Sequence, residues 1–167
     1  TTSYQTWFVG AACNLNDLYN KAEKEGAYHF MAAANVMHAM GFMEMLDLYG
    51  EMPYTYALSE TASPAYDTGR TIYEGCIRKL DEAIELFGRT QEVGAESLSQ
   101  GDIWNDGDVN KWIKLCYGLK ARYLLKLSKK ADMYDADVIL ECLSHAPQSN
   151  DDNVLAPCYN VANDVTD

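Results

Sequence analysis

The stretch Leu48-Tyr49-Gly50-Glu51-Met52-Pro53-Tyr54-Thr55-Tyr56-Ala57 reads as the end of a helix. Gly50 can take the left-handed conformation that closes a helix, and Pro53 then prevents the helix from resuming. A second stretch, Lys111 to Ser128, sets Trp112, Leu119, Lys120, Arg122, Tyr123 and Leu127 at helical spacing and reads as a long helix with a wide apolar face. Neither stretch holds reactive groups in a catalytic arrangement.

Outward from these two, the same periodicity extends over most of the chain. Phe8, Ala11, Ala12, Leu15, Leu18, Tyr19 and Ala22 recur every three or four residues and predict a first helix over about 4–24, broken by Gly26. The second, about 27–49, is apolar almost all round, with Glu44 and Asp47 as its only carboxylates, and suits the middle of a bundle. A third follows from Ile72, Cys76, Ile77, Leu80, Ala83, Ile84 and Phe87, started by Thr68 or by a Thr71 and Glu74 capping box. The fourth runs from an Asp108 cap to Lys130, and a fifth from Asp135 to His145, before Pro147.

No alternating strand pattern of useful length competes with these helices. The expected fold is all-α, with antiparallel helical hairpins stacked as a tetratricopeptide-like array, although no repeat of about 34 residues is legible. Tight turns fall at Gly26 and near Asp132, whereas the connections 50–69 and 88–107 are long for a compact helical domain. Successive connections of such an array emerge at opposite ends, so the two long loops are not expected to form one continuous surface.

At 167 residues and 48% hydrophobic, the chain is expected to form a single helical domain over 1–167. Its start at Thr1 and its end in Asn163-Asp164-Val165-Thr166-Asp167 suggest an excised fragment of a larger protein. The 25 acidic against 13 basic residues give a charge of −12, which repels phosphate backbones and anionic headgroups and argues against a nucleic-acid partner. Cys13, Cys76, Cys116, Cys142 and Cys158 form no C-x-x-C pair, and buried thiols are favoured over a disulfide framework. Cysteine usage fits a reducing compartment or an extracytoplasmic protein equally well.

Val9-Gly10-Ala11-Ala12-Cys13 has a passing likeness to a lipoprotein cleavage site but lacks the upstream basic and apolar regions, so Cys13 is read as a helix residue. The apolar stretch from Phe30 to Met43 contains Asn35 and His38 and falls short of the roughly 18 residues of a spanning helix.

Catalytic and metal motifs are absent from the sequence. His29, His38 and His145 have no metal-ligand spacing, and Asp102, Asp106 and Asp108 resemble loop polarity and helix capping more than a calcium loop. No nucleophile elbow, phosphate loop or dinucleotide turn occurs, and Glu82 and Glu85 belong to a solvated helix face. An enzyme is disfavoured, and no cofactor or metal is expected. Trp112 and Tyr123 read as core, whereas Trp104, in a polar loop before a helix, reads equally as exposed for binding or docked on the bundle.

The order of motifs resembles the SusD/RagB family. The carrying segments are Asp47-x-Tyr49-Gly50-Glu51-Met52-Pro53-Tyr54-x-x-Ala57-Leu58, Pro64-x-Tyr66-Asp67-Thr68, Ile72-Tyr73 and Leu80-Asp81-Glu82-Ala83-Ile84. They are followed by Gly107-Asp108-Val109-x-Lys111-Trp112 and Leu119-Lys120-x-Arg122-Tyr123, so that Gly50, Pro53, Trp112 and Arg122 mark the structural motif. Tyr117, Gly118 and Lys126 depart from the family's Asn, Ser and Arg. The resemblance covers about 10–160 and implies the tetratricopeptide-like scaffold of a surface-exposed outer-membrane lipoprotein. Such a protein captures glycan, or in some relatives peptide, as a lid over a SusC-like TonB-dependent transporter, held by a lipid anchor absent from this fragment. It does not transfer ligand residues, and Tyr66 and Trp104 are candidate ligand contacts on the ground of exposure. A tetratricopeptide-like scaffold holding another polypeptide is the alternative.

Overall fold

The computed structural model describes residues 2–155, so Cys158 and the polar run from Asn163 lie outside the described residues. The fold is all-α. Helix α1 (Thr2–Gln5) continues through a π-helical segment (Thr6–Ala12) into α2 (Cys13–Glu25), followed by α3 (Tyr28–Tyr49), α4 (Gly69–Phe87), α5 (Val109–Leu125) and α6 (Ala136–His145). Single 3-10 turns lie at Leu98–Gln100 and Asn150–Asp152. The chain forms two compact units, the first ending at Ala95 and the second beginning at Glu96.

In the first unit α3 packs against both α2 and α4. Gly26 makes the hairpin from α2 into α3 possible: at φ 65°, ψ 25° it is left-handed, and its N–H reaches the Ala22 and Glu23 carbonyls. Ala32, Ala33, Ala34 and Ala39 let neighbours approach the α3 backbone, and Val36, Phe42 and Met43 fill the space between helices. The Trp7 indole lies against Gly41 so closely that a Cβ there would overlap it. The start of α3 is served by the segment after α4, where Gln91 Oε1 accepts from His29 N at 3.1 Å and Glu92 N donates to the Gly26 carbonyl at 3.3 Å.

The stop after α3 differs in form from the expected left-handed cap. Gly50 has a positive φ of 74° but ψ of −137°, an extended conformation open to glycine alone, and its N–H still bonds Leu46 O. This turn buries Met52 and Pro53, and Asp67 N closes an isolated antiparallel bridge on Met52 O at 2.9 Å. The Asp67 carboxylate then accepts from Tyr54 N (2.9 Å), Thr55 N (2.8 Å) and Thr55 Oγ1 (2.9 Å), which fastens both ends of the long connection. Tyr54 is laid over Gly75, where a Cβ would stand 2.5 Å from the ring. Of the two starts considered for α4, Thr68 is the cap, extended at φ −67°, ψ 152° and accepting from Thr71 N at 3.2 Å, while Thr71 already lies within the helix.

In the second unit Asp108 caps α5 as expected, accepting from Asn110 N and Lys111 N. The helix ends at Leu125 and not at Lys130. Lys126, Leu127 and Ser128 donate to carbonyls three residues back, at 3.2, 3.1 and 3.1 Å, so the chain tightens into turns before Asp135 caps α6. Ala121, Ile139 and Cys142 pack α6 on α5, with Tyr117 and Leu124 alongside. Gly118, where the resemblance leads to serine, lies beside Pro147, whose Cδ would be 3.3 Å from an added Cβ.

Cys76, Cys116 and Cys142 are buried and Cys13 is an exposed helix residue, as read from the sequence. Burial pushes the Cys76 thiol up to about 12. No described helix is long and apolar enough to cross a membrane.

Trp112 is 4% exposed, and its replacement by alanine is expected to cost about 3–5 kcal/mol in chemical unfolding; an unchanged melting temperature would contradict its place in the core. Thr68→Ala should cost about 1 kcal/mol through loss of the α4 cap, measured the same way.

Candidate functional site

Three helices of the first unit leave a polar groove. Asn16, Tyr19 and Asn20 share one face of α2 by their spacing, and Asn35 and His38 share one face of α3. With Leu15, Ala34 and Lys79 of α4 they line a cavity of about 190 Å³. A second cavity of about 410 Å³ shares Asn16, His38 and Lys79 and adds Tyr54, Thr55, Leu58, Ser59 and Arg78.

The polar groups of this groove are only partly satisfied. Lys79 Nζ donates to Asn35 Oδ1 at 2.8 Å and stands 5.0 Å from the centroid of the Tyr19 ring. The Tyr19 hydroxyl donates to Glu82 Oε1 at 2.6 Å, and burial and that bond raise its pKa. Asn35 is 1% exposed, yet its Nδ2 and the Nδ1 of His38 have no hydrogen-bond partner. Each such orphan costs about 1–3 kcal/mol unless water or a ligand meets it. Burial, assisted by the Lys79 charge, lowers the His38 imidazole to about 3, so it is neutral at physiological pH. Burial likewise lowers Lys79, opposed by Glu82 and Cys76. Tyr54 stands edge-on to Phe42 (4.8 Å, 84°) and to His38 (5.7 Å, 68°) and fixes the wall of the wider cavity.

Sequence reasoning missed this groove. In the sequence Asn35 reads as an interruption of an apolar stretch and His38 as that and as a histidine without metal-ligand spacing, while the legible signal is their spacing on α3 matched by Asn16, Tyr19 and Asn20 on α2.

The two aromatic candidates lie in different units. Tyr66 is 69% exposed in the connection before α4, and the Tyr4 pKa is raised by burial and by the nearby Tyr66. Trp104 is half-buried and stacked on Trp112, ring centroids 5.8 Å apart at 20°, so one of its faces is docked. The loop is held by Asp102, whose Oδ1 accepts from Trp104 N (2.9 Å) and Asn105 N (3.0 Å) and whose Oδ2 accepts from Gly107 N (2.9 Å) and Trp112 Nε1 (2.7 Å). Burial raises the Asp102 carboxyl, but these donors outweigh it and hold the pKa below the usual value. Asp102 is thus a clamp and Asp108 a cap, and among the described residues no group of three or more His, Cys, Asp or Glu is placed to hold a metal ion. Arg122 is exposed on α5.

The sequence matches the SusD-like profile described as starch-binding associating with outer membrane over residues 1–166. The chain belongs to the SusD-like family. A SusD/RagB family protein of Bacteroides thetaiotaomicron superposes with a TM-score of 0.83 at 26% identity, covering 93% of this chain and 33% of its own. An outer membrane protein of Bacteroides vulgatus whose name ties it to nutrient binding gives 0.68 at 28% identity, over 87% and 33%. A chitin-binding protein shares the fold at 24% identity and a TM-score of 0.78, over 92% and 33%. The SusD-like chain therefore spans about a third of the length of these structures. No curated protein matches it significantly.

His38 is expected to show no imidazole titration by NMR between pH 8 and pH 5. The unfolded chain takes up that proton near 6.5 and the folded one not until about 3, so stability should fall as pH drops through this interval. A His38 midpoint near 6.5 would contradict the desolvated groove. Asp102→Ala strips the acceptor from four N–H groups and should cost at least about 1–3 kcal/mol in urea unfolding, with loss of the Trp104 and Trp112 exciton signature in circular dichroism.

Proposed function

We propose that this SusD-like chain is the helical scaffold of a protein that binds nutrient glycan at the outer-membrane surface and delivers it to a SusC-like TonB-dependent transporter, without bond cleavage. The whole protein is held to the membrane by a lipid anchor. The observation that carries the reading is the groove of α2, α3 and α4, with two unpaired side-chain nitrogens in a lining that includes Tyr19 and Tyr54, in a chain of a family described as starch-binding. Carboxamides and aromatic rings match what a sugar offers, hydroxyls around its rim and apolar faces on the ring. Family membership and the Bacteroides vulgatus neighbour support the outer-membrane location. Tyr66, exposed in the same unit as the groove, offers a further stacking face, and the half-exposed Trp104 offers a separate one in the second unit.

Catalysis has little to work with in the groove. No described residue lining either cavity is an aspartate or glutamate, and the one imidazole is held neutral. Binding rests on several weak contacts, hydrogen bonds to hydroxyls and burial of apolar sugar faces against tyrosine rings.

The test is a glycan array followed by calorimetry, together with co-purification from the outer membrane. Binding of a glycan, weakened about tenfold by Tyr19→Ala, and recovery of a TonB-dependent transporter are expected. A protein that retains no glycan and no transporter would contradict the proposal.

A further inference from the structure

We infer that the groove takes an acidic sugar, with the carboxylate of a uronic acid unit seated on Lys79 and Asn35. This deepens the glycan-binding reading and rests on it. The first observation is charge. A chain with 25 acidic and 13 basic residues lines this groove with Lys79 and Arg78, while no described lining residue is acidic. The Lys79 ammonium is bonded to a neutral carboxamide, and the carboxylate that acts on its charge, Glu82, is engaged by the Tyr19 hydroxyl. A half-desolvated ammonium without a bonded carboxylate gains most from an anion that enters with the ligand, because charge-assisted bonds are about twice as strong as neutral ones.

The second observation is the unused hydrogen-bonding capacity. Asn35 Nδ2 is buried and offers protons to nothing, while Lys79 has spent one proton on Asn35 Oδ1. The two donors are therefore tied together through one carboxamide. A carboxylate has two oxygens that each accept more than one bond, so it meets both at once, and the neutral His38 Nδ1 takes or gives one further bond according to its tautomer. The third observation is shape. The cavity of about 190 Å³ that Asn35 lines shares Asn16, His38 and Lys79 with the wider one of about 410 Å³, so a carboxylate in the first leaves its sugar ring room in the second, lined by Tyr54 and by Asn16 for hydroxyls. A peptide C-terminus carries the same carboxylate, but the repeated carboxamides of Asn16, Asn20 and Asn35 favour a ring edged with hydroxyls.

Calorimetry with the full-length protein, using trigalacturonic acid, its methyl ester and trialanine, tests the assignment. The acid should bind at least about tenfold tighter than the uncharged ester and than trialanine, and Lys79→Gln should erase the preference for the acid. In the unaltered protein, which avoids any folding defect of the variant, the Asn35 side-chain amide signals should move with the acid and not with the ester. Equal affinity for acid and ester, or acid binding that leaves the Asn35 amide unmoved, overturns the inference while glycan binding stands. Trialanine binding as tightly as the acid overturns it in favour of peptide. Failure to bind any glycan on the array removes the underlying reading instead.

Discussion

Close packing around α3 is the constraint on which the first unit depends. A helix apolar on nearly every side must be covered by neighbours, and its alanines let α2 and α4 come near enough to do so. Burial of Phe42 alone contributes about 1.5–3 kcal/mol. The same closeness makes Asn35 and His38 conspicuous, since they are polar groups on a helix with almost no water to face. Their exit is the groove, where Lys79 satisfies one atom of Asn35 and two other atoms stay unpaired. Packing thus creates the polar site as a consequence of burying its helix.

The loops are fixed by carboxylates used as anchors for backbone N–H groups. Asp67 gathers Tyr54 and Thr55, and Asp102 gathers Trp104, Asn105, Gly107 and the Trp112 indole. Each replaces water around a turn with donors of defined direction, so a long connection becomes an ordered wall. Asp67 does this beside the groove, and so places Tyr54 over Gly75 and against His38.

Much of this was legible in the sequence, because helical periodicity and capping are local. The apolar periods located every long helix, Gly26 and Asp108 marked their ends, and the motif order from Asp47 to Tyr123 pointed to the family. Gly50 was recognised as a stop, but its extended positive-φ form depends on Met52 and Pro53 turning inward, which no local pattern reports. The sequence carries helical signal past the end of α5 because Lys126, Leu127, Lys129 and Lys130 are good helix formers, whereas closure by bonds to carbonyls three residues back is a tertiary outcome. The groove was illegible for a different reason: its residues come from three helices, and only packing shows that Asn35, Tyr19 and Lys79 meet. Trp104 was legible as an aromatic in a polar loop, while its stacking on Trp112 required the Asp102 clamp.

The account stands or falls on where a sugar sits. A crystal structure of the full-length protein with its bound glycan measures this directly. Density for a sugar ring among Asn16, Tyr19, Asn35, His38 and Lys79, with hydrogen bonds to Asn35 Nδ2 and Lys79 Nζ, is the predicted result. A glycan held entirely elsewhere, with that groove closed by protein side chains that satisfy both orphaned nitrogens, would contradict it.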